Sequence, residues 1–109
     1  MKLPQNAEIA PEKLTRYLLV KRPVGDKSDL LKRAGYGLDN WQQLAHDIRQ
    51  QILAKEAVST KQTFYGEYFE ISASLRGPNG VALQLKTVWM KEPQSGITKF
   101  ITLYPDRGR

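Results

Sequence analysis

Two periods divide this chain. Up to about residue 56 the apolar positions recur at helical spacing, and beyond it they alternate with polar ones. Pro11 suits the first turn of a helix, with Leu14, Tyr17 and Leu18 following on one face. That helix should end near Val20, because Pro23 disfavours helical geometry at Arg22. "RPVGDK" then reads as a turn, and Asp26 or Ser28 caps a short helix through Ala34 that Gly35 closes. Asp39 and Asn40 cap the strongest helix, whose stripe is Trp41, Leu44, Ala45, Ile48 and Ile52. His46 falls off that stripe and reads as solvated.

In the second half, Phe69, Ile71, Ala73 and Leu75 alternate with Glu70, Ser72, Ser74 and Arg76. "GPNG" is a turn, "VALQLKTVWMK" the returning strand, and "PQSG" a turn into "TKFITLYP". Val58 to Tyr65 is a candidate fourth strand. The expected fold is α+β, with two to three N-terminal helices packed on one face of a three- to four-stranded antiparallel sheet. A single domain is expected over 1–109: a helical region over 1–56, a sheet region over 57–105 and a charged tail over 106–109.

If Ile71, Ala73, Leu83, Leu85, Ile101 and Leu103 face the helices, alternation sends a second set to the opposite face. That set is Tyr68, Glu70, Ser72, Arg76, Gln84, Lys86, Thr98, Phe100, Thr102 and Tyr104. The alternation breaks at Thr87 to Met90, where a bulge would flip the later part of the strand. Trp89 reads as core.

Charge and composition narrow the chemistry. The chain lacks cysteine and has one histidine, which excludes disulfides, thiol nucleophiles, a histidine pair and a histidine-rich metal site. No metal or other cofactor is implied. No apolar run approaches the ~20 residues of a membrane span, and the N-terminus lacks a signal-peptide core, so a cytoplasmic product is expected. The net charge is +6. Between Lys13 and Arg33 seven cations face only Asp26 and Asp29. Such a surface suits nucleic acid, an anionic membrane or an acidic protein, or is simply solvated.

The second face of the sheet carries the most suggestive set. Rings stack bases and cations hold phosphates, so it suits single-stranded RNA. It also holds the groups needed for RNA cleavage without histidine. Glu70 is a candidate base for a ribose 2′-hydroxyl, Lys86 or Arg76 for phosphorane charge, and Tyr104 or Tyr68 as hydrogen-bond donor. The competing reading is ordinary cross-strand pairing on an open face.

The blocks "LPQNAEIAPEKLTRYLL", "PVGDK", "NWQQLAHDIR", "GPNGVALQLKTVWM" and "FITLYP" stand in an order that resembles an uncharacterised family of small bacterial domains. That family's pattern is "LPNAE…KL..YLL", "HPVG..K", "TVW" and "T.YP". Its members occur beside a small neighbouring gene or as terminal domains of large secreted proteins, both settings typical of toxins. The helices-then-sheet order is also similar to the barnase–EndoU–colicin–RelE class of ribonuclease toxins. The resemblance points to Lys27, Thr87, Trp89, Thr102, Tyr104 and Pro105. It departs at the "HPVG" histidine, which is Arg22 here. Arginine is no base near neutral pH but still clamps phosphate, so Arg22 and Lys27 form a candidate anion site.

The expectation is a toxin of a toxin–antitoxin or contact-toxin system, a metal-independent ribonuclease. Lys86, Glu70, Thr102 and Tyr104 would form its catalytic set, and Arg22, Lys27, Tyr68 and Arg76 would bind RNA. Its partners would be RNA and a small acidic antitoxin or immunity protein, with no membrane. The expected location is the cytoplasm, with delivery as a domain of a secreted toxin as the other setting. The alternative is a non-catalytic basic module that binds nucleic acid or a small acidic protein through the same surface.

Overall fold

A computed structural model describes residues 1–24 and 26–106. Gly25 of the "PVGDK" turn and residues 107–109 of the expected tail lie outside the described residues. The fold is α+β, with helices preceding an open antiparallel sheet.

Helix α1 opens at Pro11–Lys13 and continues as wider π-type turns over Leu14–Leu18. Its inward residues Leu14 and Leu18 are fully buried. Helix α2 is Ser28–Lys32. The Asp26 carboxylate accepts both the amide and the hydroxyl of Ser28 (2.8 and 2.6 Å), but the N-cap position falls on Lys27 and on neither expected residue. Helix α3 follows a 3₁₀ turn at Leu38–Asn40, runs over Trp41–Asp47 and continues as π-type turns over Ile48–Ile52. Leu44, Ile48 and Ile52 are fully buried, whereas Trp41 stays at the rim of the core. His46 is exposed, as its position off the stripe implies. Among the described residues, no helix is long and apolar enough to cross a membrane.

Four strands form a meander in the order β1 (Val58–Thr63), β2 (Gly66–Arg76), β3 (Ala82–Lys91) and β4 (Thr98–Pro105). The face carrying Ile71, Leu75, Leu83, Leu85, Trp89 and Leu103 is buried, and the C-terminal half of α3 packs on β2. Strand β1 is an exposed edge. The other edge is covered by the N-terminal segment. The Glu8 amide donates to the Thr98 carbonyl (2.7 Å) and the Phe100 amide donates to the Glu8 carbonyl (2.8 Å). This pairing satisfies backbone groups that an open edge would leave exposed. It also delivers the chain to Pro11 beside β4.

The expected irregularity lies in β4 instead of β3. Strands β2 and β3 pair without a break, from Glu67 opposite Lys91 to Arg76 opposite Ala82. In β4, Phe100 pairs with Trp89 and Thr102 with Val88, leaving Ile101 as an extra residue. Thr98 and Phe100 therefore face the core, and Ile101 does not belong to the buried face. Phe100 is 1% exposed and meets Trp89 edge-on, with ring centroids 5.3 Å apart. Burying a phenylalanine is worth about 1.5–3 kcal/mol, which favours bulging the strand over exposing the ring.

Two local devices fix the helices to the sheet. A β-carbon on Gly77 would lie 1.9 Å from the Ala34 carbonyl oxygen, so only glycine lets the β2–β3 turn approach the end of α2. Tyr36 donates its hydroxyl to the buried Asp47 carboxylate, which also accepts from Gln43 (2.8 Å). Burial, then the Asp47 contact, raises the Tyr36 pKa far above the ordinary tyrosine value.

Candidate functional site

The registers set two rows across the open face. Glu70, Val88 and Thr102 stand side by side on β2, β3 and β4, and Ser72, Lys86 and Tyr104 form the next row. Tyr104 reaches diagonally to Glu70, its hydroxyl 3.4 Å from Oε2, while Lys86 Nζ lies 3.7 Å from Oε1 of the same carboxylate. Glu70 and Lys86 remain about one-third exposed, so solvent reaches the trio. Burial first, and the Glu70 charge second, hold the Tyr104 hydroxyl above its ordinary pKa, leaving it a proton donor at neutral pH. The β4 bulge sets this geometry, because it returns Thr102 and Tyr104 to the open face after Phe100 has turned inward.

A further tyrosine joins this face from α1. The Tyr17 hydroxyl lies 3.4 Å from Thr102 Oγ1. Over its ring sit the Arg22 guanidinium, 5.0 Å from the centroid, and the Lys27 ammonium at 5.9 Å. The Thr102 hydrogen bond lowers the Tyr17 pKa, aided by the charges of Lys27, Arg22 and Lys13 and opposed by burial. Tyr17 thereby connects two sets that are separate in the sequence: the cations around the "RPVGDK" turn and the hydroxyls of the last strand. Helical spacing alone assigns Tyr17 to the apolar stripe of α1. The available signal was a phenol on a stripe otherwise made by leucines, followed closely by a run of cations.

The remaining expected site residues divide. Tyr68 is on the open face one residue pair along from Glu70, with Lys61 Nζ 5.1 Å from its ring centroid. Arg76 points to the same side of the sheet but stands apart. Six residues of strand separate it from Glu70, about 20 Å, and its guanidinium donates to the Gly80 carbonyl (2.8 Å). Thr87 and Trp89 of "KTVW" are fully buried: the indole N–H donates to Thr87 Oγ1 (2.8 Å), which itself donates to the Ile71 carbonyl (3.1 Å). They are a structural lock. Pro105 ends β4 opposite Leu85.

The basic excess also divides. Lys21 pairs with Asp29 (2.7 Å) and Asp26 (3.5 Å), leaving Arg22 and Lys27 as the cations gathered at Tyr17. A cleft of about 500 Å³ beside α2 is lined by Lys21, Asp29 and Asp39 among others. Its Lys21 is already paired, and its lining includes Tyr36 but neither Tyr17 nor Tyr104. Among the described residues, no group of three or more His, Cys, Asp or Glu side chains could hold a metal.

The family model described as "Domain of unknown function (DUF6883)" matches residues 2–107. The chain belongs to this family. No curated protein and no solved structure matches it. The DUF6883 match runs from before α1 to beyond β4, so both tyrosine clusters lie within the domain that defines the family.

Proposed function

We propose that this DUF6883 domain is a metal-independent endoribonuclease, acting as the toxin of a bacterial toxin–antitoxin or contact-toxin system. The observation that carries the reading is a convergence on one uncovered sheet face. The Glu70–Lys86–Tyr104 trio lies there beside a phenol, Tyr17, flanked by Arg22 and Lys27. Glu70 and Thr102 are separated by one strand, about 10 Å, with Val88 as the floor between them. A phosphodiester with its ribose spans such a gap.

In the proposed reaction Glu70 takes the proton of the ribose 2′-hydroxyl, and the 2′-oxygen forms its bond to phosphorus. The bond from phosphorus to the 5′-oxygen breaks, and Tyr17 donates its proton to that leaving oxygen. Lys86, Arg22 and Lys27 offset the charge on the phosphorane, while Thr102 and Tyr104 hydrogen-bond its oxygens. The products are a 2′,3′-cyclic phosphate and a 5′-hydroxyl; Glu70 then loses its proton to solvent and Tyr17 regains one. A lowered pKa makes Tyr17 a better proton donor than an ordinary tyrosine. Arg22, standing where the family pattern has histidine, binds phosphate and takes no part in proton transfer.

The toxin role rests on the resemblance to domains found beside a small gene or at the ends of secreted proteins, and on the similar helices-then-sheet order of the barnase–EndoU–colicin–RelE class. The partner in that role is a small acidic antitoxin covering the basic face, and the place of action is the cytoplasm. A second reading, a non-catalytic RNA-binding module, is favoured by one observation. Lys61 over Tyr68, and the exposed Phe64–Tyr65 ring pair at the β1–β2 turn, make a stacking surface that needs no chemistry. Induced expression with and without an acidic neighbour, followed by sequencing of RNA 5′ ends, separates the two. New 5′-hydroxyl ends that vanish with Glu70→Gln support the ribonuclease; RNA retained on the protein without new ends supports the module.

A further inference from the structure

We infer that the cleft between α1 and β4 is a nucleobase subsite that selects guanine; the inference rests on the RNA-cleaving reading of the adjoining face. This cleft, about 470 Å³, is lined by Ala10, Glu12, Lys13, Tyr17, Ile101 and Thr102. Its size falls in the range of roughly 300–1,000 Å³ seen for small-molecule sites.

Three features point to a base as the occupant. Ala10, Tyr17 and Ile101 make the lining mostly apolar, which suits a flat, weakly polar ring system. Ile101 is available only because of the bulge in β4, which leaves it unpaired and turned away from the core. Tyr17 and Thr102 are shared between this cleft and the proposed scissile site, so a base seated here carries its own phosphate toward Arg22 and Lys27. The cleft is therefore one nucleotide away from the chemistry.

The polar groups choose among bases. Glu12 supplies a carboxylate with two acceptor oxygens, and Lys13 supplies a donor. Guanine presents the matching edge, with N1–H and N2–H donors beside the O6 acceptor. Adenine offers one amino donor on that edge, cytosine one, and uracil a single N3–H between two acceptors. Only guanine engages both carboxylate oxygens and the ammonium together.

The test is a titration of the isotope-labelled full chain with the four nucleoside 3′-monophosphates, ribose 5-phosphate and inorganic phosphate, followed by amide NMR. Guanosine 3′-monophosphate should bind about 10-fold or more tighter than the other three, shifting the amides of Glu12, Lys13, Ile101 and Thr102. Glu12→Gln should erase that preference and leave the inorganic phosphate affinity unchanged. Equal affinities for all four nucleotides and for ribose 5-phosphate would overturn the subsite. A guanine preference in a chain that cleaves no RNA would sustain the subsite and remove the ribonuclease reading. RNA cleavage with no base preference, unaltered in Glu12→Gln, would do the reverse.

Discussion

The Tyr17 hydroxyl on α1 lies 3.4 Å from the Thr102 hydroxyl on β4, across 85 residues of chain. This contact joins the cations at the start of the molecule to the carboxylate, lysine and tyrosine of the sheet. The pairing of Glu8 with β4 holds α1 close enough for it to form.

Replacing Tyr17 by Phe removes the hydroxyl and keeps the ring beneath Arg22 and Lys27. Stability should change by less than about 1 kcal/mol, because the lost bond is long and half exposed. RNA cleavage should fall about 10²-fold or more if the phenol donates the leaving-group proton. Denaturant unfolding and a cleavage assay on the same preparation check both halves.

Tyr17 should titrate below the ordinary tyrosine value, and Tyr36 and Tyr104 above it. Tyr17 has a lowered folded pKa, so its contribution to stability is present above the unfolded value, about 10, and is lost as pH falls through the folded one. Tyr36 and Tyr104 have raised folded pKa values, so their contributions are present below about pH 10 and are lost as pH rises toward the folded values. Near-ultraviolet absorbance should show Tyr17→Phe removing the earliest phenolate signal. Above about pH 10 the parent should lose stability with a slope of about 1.4 kcal/mol per pH unit from Tyr36 alone, a slope that Tyr36→Phe abolishes.

Thr87→Val keeps the shape of the side chain and leaves the buried Trp89 N–H without its acceptor. The expected loss is about 1–3 kcal/mol, with Thr87→Ser closer to the parent. Equal unfolding midpoints for the parent and the Val variant would show that the indole finds another partner.

Much of this architecture was legible in the sequence. The change from a 3.6-residue to a 2-residue period marks the passage from α3 to the sheet, and the two glycine-containing turns fix the β2–β3–β4 meander. Lys86 opposite Tyr104 follows from that register. In β4 the faces of Leu103, Thr102 and Tyr104 were legible, but those of Thr98, Phe100 and Ile101 were not, because Phe100, Ile101 and Leu103 compete for one side and alternation cannot say which is displaced. Trp89 decides it by packing against Phe100, a contact between strands that no local pattern records. Tyr17 escaped for a related reason: a helical stripe tells which side faces inward, and not that one rim residue reaches over a sheet edge. Arg76 belongs to the expected face but to the far end of it, away from Glu70.

Reversing charge at Arg22 and Lys27 should weaken RNA binding and flatten its salt dependence by about two phosphate contacts. In a plot of log affinity against log salt, that is a slope reduction of roughly 1.4 for single strands. Fluorescence anisotropy with a single-stranded RNA at several salt concentrations reads this directly, and an unchanged slope would place the RNA elsewhere.

In the proposed reaction Glu70, Lys86 and Tyr17 cleave RNA without a metal. Its most direct test is incubation of the purified chain with a defined RNA in excess chelator, with the ends of the products identified. The products should carry 2′,3′-cyclic phosphate and 5′-hydroxyl ends, lost in Glu70→Gln and Lys86→Met variants that melt like the parent. Intact RNA with the parent chain, or cleavage undiminished in both folded variants, would contradict it.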